Sequence, residues 1–356
     1  MTPTQDDRGP TTTSGHIAVA NLNAQVIGLT AQLDRTRSAQ GGTALLTATG
    51  AAPLVDLLLL RGQVLGRVAD YERAAELAEA LVRDALNDRT AQLARARTRS
   101  TFHRFPEALA DLDAAGRYGA ARAELDAERA AILQAMGCHA EALALRRTAA
   151  QCHPDFTTLS ALAVLHAERR EAAEAERLFT AARHHYRGVS PFPIAELDLR
   201  RGLMWLGDRD LPAARTWFTA AVRRVPAYAP AVGHLAQVDA ALGDLEAAID
   251  RLRPLAVSSD DPEIAATLAG VLRDAGRPAE AEHWRTYAAT RYDELVRRHP
   301  GAFLDHAADF WLTVGGDPQR GLRLIERDLT HSHAATTHFA APSRPSGRLR
   351  GVPPVS

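Results

Sequence analysis

Lysine is absent from this chain: all 42 of its Lys and Arg residues are arginine. A Walker-type phosphate loop, a lysine Schiff base and a Ser-Lys dyad are therefore excluded, because each needs a primary amine. Aromatic residues are scarce at 5%, and Ala and Leu dominate an apolar fraction of 46%. That content is enough to bury a core, and its balance suits closely packed helices, not a β-sandwich. The two cysteines, Cys138 and Cys152, are too few for a disulfide framework. The leucine run Leu57 to Leu60 falls far short of the ~20 apolar residues that span a bilayer. Met1 to Gly15 is polar, with Pro3, Asp6, Asp7 and Pro10, and has no basic stretch leading into an apolar one. No signal peptide is expected, and the expected location is cytoplasmic. Excess positive charge is missing too, since 43 acidic residues answer the 42 basic ones for a formal charge of -1. That argues against bulk nucleic-acid binding and leaves little net repulsion between copies, so self-association stays open.

What the chain does have is repetition. Amphipathic stretches of about a dozen residues alternate with short turns of Gly, Asp, Arg or Pro. Aligned on the turn within each helix pair, the residues opening the second helix are Tyr71, Phe105, His139, Ala172, Leu211, Leu245, Pro278 and Pro318. Their spacings are 34, 34, 33, 39, 34, 33 and 40. One long interval contains HHYRGVSPFP (His184 to Pro193), and the other an extended helix reaching Pro300. Three residues after each opener stands Ala74, Ala108, Ala142, Ala175, Ala214, Ala248, Ala281 or Gly321, a small residue where neighbouring helices approach closest. Four further on come Ala78, Leu112, Arg146, Phe179, Phe218, Leu252, Arg285 and Ile325, mainly a packing face.

A period near 34 with a small residue at this place resembles the tetratricopeptide repeat (TPR) family. Gly62 and Gly202 match its first-helix glycine, Tyr71 and Phe105 its aromatic before the second helix, and Pro154 and Pro226 its closing proline. Most other first-helix positions carry Ala instead of Gly, and Pro254 is expected to kink or shorten the sixth pair's second helix. The resemblance implies an all-α, right-handed superhelical solenoid of seven to eight pairs over residues 53–329. The eighth pair, with Gly321 and Asp328, is expected to be either a degenerate repeat or a cap. Residues 1–15 and 330–356 are expected to be disordered, with an additional helix and linker over 16–52. In that helix Leu22, Val26, Leu29 and Leu33 form one apolar stripe, expected to cap the array's open end, with a partner-docking helix as the alternative.

Candidate chemistry is thin. Cys138-His139 and Cys152-His153 flank one helix, and fourteen residues at ~1.5 Å rise place them ~21 Å apart, too far for one zinc ion. His184-His185, His331, His333 and His338 have no partner spaced to complete a metal site. G-x-S-x-G, H-E-x-x-H and G-x-G-x-x-G are missing, and Asp260-Asp261 before Pro262 reads as a helix cap. No catalytic residue, metal or cofactor is expected. The basic run Arg95 to Arg104 reads as a solvated helix end, with an anion-binding patch as its alternative. The resemblance implies that the first helix of each pair lines a concave groove holding an extended peptide or a helix. On that register Gln63, Arg97, Gln134, Gln237 and Arg273 face it. With no lysine, and asparagine only at Asn21, Asn23 and Asn87, the carboxylate clamp of one TPR subfamily looks absent. Two functions follow: a scaffold or adaptor recruiting a protein partner, or a regulatory sensor whose array binds a signalling peptide or effector and changes shape.

Overall fold

The computed structural model describes residues 10–39 and 48–336, and all regular structure within them is helical. Helix α1 (Gly15–Ala39) precedes eight helix pairs. These are α2 (Ala48–Leu65) with α3 (Val68–Asp84), α4 (Arg89–Thr101) with α5 (Phe105–Arg117), and α6 (Arg122–Ala135) with α7 (His139–Cys152). There follow α8 (Phe156–Glu168) with α9 (Ala172–His185), α10 (Phe192–Gly207) with α11 (Leu211–Arg224), and α12 (Ala229–Ala241) with α13 (Leu245–Ser258). The last are α14 (Pro262–Asp274) with α15 (Pro278–Arg298), and α16 (Pro300–Leu312) with α17 (Pro318–Thr336). Helices pack mainly on their sequence neighbours, as in a TPR-like solenoid.

The period has a backbone cause. Each pair turns through one residue of positive φ: Gly66, His103, Gly137, Arg170, Arg209, Gly243, Gly276 and Gly316. In the first seven, the next residue's N–H donates to the carbonyl five residues back, as in Cys138 to Leu133 and Asp244 to Asp239. This closing turn ends one helix and leads into the next in the same way at each of these seven pairs. Five pairs use glycine, while His103, Arg170 and Arg209 accept the left-handed strain for which L-residues are poorly suited.

Seven of the eight expected opening residues begin their helices; the exception is Tyr71, because α3 starts three residues earlier at Val68. The small residues are buried as expected, and Gly321 faces Leu312, whose Cγ would lie 2.7 Å from an added Cβ. Gly62 and Gly202 are likewise sites of close approach. A Cβ there would fall 2.6 Å from the Tyr71 ring and 2.5 Å from the Phe218 ring. The eighth pair is a packed pair, with Leu304, Phe310 and Trp311 of α16 buried.

Four boundaries differ from expectation. Helix α13 is not shortened by Pro254: it has 14 residues, as do α9 and α11. The linker's end is helical, since α2 begins at Ala48 and contains Pro53. Helix α17 continues past Leu329 to Thr336. Pro10 to Ser14 is anchored: Thr13 N–H donates to the Val189 carbonyl, and Arg224 donates to the Pro10 carbonyl and to Thr12 Oγ1. The expected disorder of 1–9 and 337–356, and the linker over 40–47, lie outside the described residues.

Helix α1 covers the first pair as expected, with Leu22 and Val26 buried and Leu29 and Leu33 packed on the same cluster. Its N-terminus reaches further, so that Gly15 abuts Arg224 and Val225 at the end of α11. The solenoid therefore curls until its first pair meets its later ones.

Candidate functional site

The inner face is built from first helices, and the curl brings α2 directly against α10 and α12. Leu60 and Val64 of α2 meet Phe192, Ala195 and Tyr228 there. Glu196 holds this contact together. One of its carboxylate oxygens accepts from Gln63 Nε2 at 3.0 Å and from the Tyr228 hydroxyl, and the other accepts from Arg200 Nε at 2.6 Å. Glu196 correspondingly raises the pKa of Arg200, and burial together with Glu196 raises that of Tyr228. The inner face is thus not an uninterrupted channel. At the level of the first, fifth and sixth pairs it is filled by the protein itself, leaving a residual cavity of about 180 Å³.

A larger cavity, about 530 Å³, opens beside it and shares Pro193 and Glu196. Its walls come from α6, α8 and α10, the first helices of the third to fifth pairs, and one lining residue, Arg146, comes from the second helix α7. Space exists because α6 packs loosely, burying only Ala130 and Ile132 of its 14 residues. Ala131, Phe156, Ala161, Val164 and Leu197 make the apolar part, and Gln134, Arg146, Glu168, Glu196 and Arg200 the polar part. A cavity of this size with a few convergent polar groups has the dimensions of a small-ligand or side-chain site.

Of the residues expected to face a groove, Gln63 and Gln134 reach this region, one in each cavity. Arg97, Gln237 and Arg273 line neither. Arg97 is engaged by three carboxylates, Asp56 at 3.2 Å, Glu124 at 3.1 Å and Glu128 at 2.6 Å. Gln237 sits 3.0 Å from His234, and exposed Arg273 lies beside Asp274 at 3.5 Å. In the basic run Arg95 to Arg104 the first three arginines are taken up by carboxylates, while His103 and Arg104 are exposed. Arg95 and Arg99 both grip Asp111, at 2.7 and 2.9 Å, and both reach Glu79. Cys138 and Cys152 stand at opposite ends of α7, as their spacing required. Among the described residues, no group of three or more His, Cys, Asp or Glu is placed to hold a metal ion. No helix there is long and apolar enough to cross a membrane.

A second polar assembly joins the first two pairs to the sixth through eighth. Asp260 accepts from Val68 N–H at 2.6 Å and Ala69 N–H at 3.0 Å, capping α3 from 192 residues away. Arg67, the cap residue of α3, has no capping side chain of its own. Asp261 alone does what the sequence suggests for both aspartates, capping α14 through Glu263 N–H at 2.9 Å. Ser259 Oγ donates to the Gly66 carbonyl. Glu72 receives Arg298 at 2.7 Å and His299 at 3.0 Å, and the His299 ring stacks on Phe102 at 3.9 Å. Sequence reading missed this clasp because its partners lie some two hundred residues apart.

Burial holds the His299 imidazole below the ordinary histidine value; Glu72 opposes this, while Arg298 and Arg104 add to it. With a depressed folded pKa, the folded chain takes up fewer protons than the unfolded one as pH drops below ~6.5. The contribution of His299 to stability is therefore present above that pH and lost as pH falls through the folded pKa. In thermal melts, the advantage of the native chain over His299→Gln should shrink between about pH 7 and about pH 5. An advantage that grows on acidification contradicts this assignment.

No family model matches the chain, and no curated protein matches it in sequence. Solved structures do share its fold. The structure described as "Human IFIT1 dimer with PPP-AAAA" aligns with TM-score 0.54 at 16% identity, covering 85% of this chain and 77% of that one. The human IFIT1 dimer with m7Gppp-AAAA gives 0.54 at 15% identity, over 85% and 76% of the two chains. At these identities the likeness is one of fold, a TPR-like helical-repeat solenoid.

Proposed function

We propose that this chain is a protein-binding scaffold that holds a peptide segment on the inner face of its solenoid, centred on the 530 Å³ cavity between the third and fifth pairs. The observation that carries this reading is the cavity's place. It lies where first helices converge, and its mixed lining offers apolar contact together with hydrogen-bonding groups for a backbone. The volume suits two or three side chains, so recognition here is of a short motif. Stacked helix pairs present such inner surfaces generally.

The test is selection of a phage-displayed random twelve-residue library on the immobilised full-length protein, in parallel with Ala161→Trp. An indole at residue 161 fills the cavity from one wall. Peptides selected on the native chain should bind the variant at least about tenfold more weakly, a loss of ~1.4 kcal/mol. Equal binding by a variant whose circular dichroism is unchanged contradicts the location. A regulatory sensor is the second reading, and the clasp between the first and last pairs favours it. Such a sensor requires peptide binding to change hydrogen exchange at α3 and α15, outside the cavity. A simple scaffold leaves both unaltered.

A further inference from the structure

The packing face of the second helices carries one exception that its surroundings do not explain. In five pairs the residue at this register is Ala78, Leu112, Phe179, Phe218 or Leu252, each with 0% exposure. Two pairs place arginine there. Arg285 is satisfied locally by Glu282, both of whose carboxylate oxygens it reaches at 2.5 and 2.6 Å. Arg146 is different. It is half-buried, no carboxylate among the described residues lies within ion-pairing distance, and its hydrogen bond to Gln134 Oε1 is a long one, 3.4 Å. Its Nε is buried without an acceptor. Burial lowers the pKa of the guanidinium, and Glu168 and Glu128 offset this only in part from beyond contact distance. A desolvated cation in a packing position is costly to the folded chain and adds nothing to cohesion. It also lines the cavity, which gives a missing anion room to enter.

We infer that Arg146 receives the carboxylate of an acidic side chain on the bound segment, with an adjacent apolar side chain seated against Ala131, Val164 and Leu197. The inference rests on the inner face being the peptide-binding face and names what that face selects. A carboxylate matches the planar fork of a guanidinium and would satisfy the buried Nε together with a terminal nitrogen. A single negative charge fits better than the double charge of a phosphate, because Arg200 is already matched by Glu196 and Glu168 on the same cavity would repel the second charge. The apolar neighbour follows from the apolar walls on either side.

The experiment begins with peptides whose binding to the native chain is lost in Ala161→Trp. Aspartate or glutamate should be enriched at one position next to an apolar residue. A synthetic peptide with that Glu changed to Gln should bind the native chain at least about tenfold more weakly. On Arg146→Met the two peptides should bind alike, and the melting temperature of that variant should equal or exceed the native value. Three results overturn the inference while leaving the scaffold reading intact: cavity-dependent peptides without acidic enrichment, a Glu-to-Gln penalty that persists on Arg146→Met, or a clear fall in that variant's melting temperature, which would mark Arg146 as structural. Selection that yields no cavity-dependent peptide at all overturns both.

Discussion

Asp198→Ala should destabilise the protein by roughly 3–5 kcal/mol, among the largest losses available to a single polar substitution here. Asp198 of α10 is 1% exposed and faces Arg183 of α9, itself 8% exposed, in direct hydrogen-bonding contact. Arg224 Nε stands 3.9 Å from the other carboxylate oxygen. Close by, Arg201 lies 3.7 Å above the Trp217 ring and pairs with Glu176, which also accepts from Trp205 Nε1 at 2.8 Å. Burial pushes the Asp198 carboxyl up to about 6, against the pull of Arg183, Arg224 and Arg201, so its desolvation is severe even among three cations. Removing the anion leaves Arg183 buried with its charge unanswered, which costs more than the pair itself contributes. Replacing both partners by apolar residues of similar size, Asp198→Leu with Arg183→Met, should recover most of the loss. Urea unfolding of the native chain, the two single variants and the double variant gives the coupling directly. A single-variant loss below about 1 kcal/mol shows that water reaches the pair.

How far the sequence could be read depends on the range of the interaction concerned. The repeat was legible because its causes are local. A positive-φ turn, a closing bond five residues back and a small residue three places into the next helix all lie within one pair, so they recur as a pattern of letters. Tyr71 was misplaced as an opening residue because α3 gains its extra turn from Asp260, which the local sequence does not contain. The contacts made by the residues expected to face the groove were not legible for a related reason. Register tells which side of a helix faces inward, but not which inward groups are already engaged. Gln63 bonds Glu196 from 133 residues away, and Arg97 reaches Asp56, Glu124 and Glu128 on two other helices. With every Lys and Arg position an arginine, forked guanidinium–carboxylate contacts became a cross-helix tie, and Arg95 and Arg99 of the basic run turned inward to make them. Arg146 did carry a signal, a charged residue at a register filled elsewhere by Ala, Leu, Ile or Phe. Arg285 breaks the same pattern without consequence, so sequence alone does not separate the two.

Opening the clasp should have the second large effect, and a double substitution, Asp260→Ala with Glu72→Ala, is designed to open it. Asp260 supplies two charge-assisted bonds to the first turn of α3 and an ion pair to Arg291 at 3.1 Å. Glu72 ties the same helix to Arg298 and His299. Hydrogen bonds to charged groups contribute about 1.5–3 kcal/mol each, so loss of the assembly should accelerate hydrogen exchange at Val68 and Ala69 by at least about a hundredfold. Exchange in the buried interior of α8 and α9, which have no part in the clasp, should keep its native rate, because a solenoid's stability is set chiefly between neighbours. The first pair and α1 would then be held by the contact around Glu196, the Ser259–Gly66 bond and the anchoring of Pro10 to Gly15 at the end of α11, and small-angle scattering should show a larger radius of gyration. The consequence for binding separates the two functional readings. If the clasp governs access to the inner face, the open variant takes up cavity-dependent peptides faster than the native chain; if the chain is a fixed scaffold, the association rate does not change although the clasp is gone. Exchange at Val68 and Ala69 that stays at the native rate in the double variant would mean that α3 is capped without Asp260, and that the curl is maintained by the remaining contacts, those of α2 with α10 and α12 foremost.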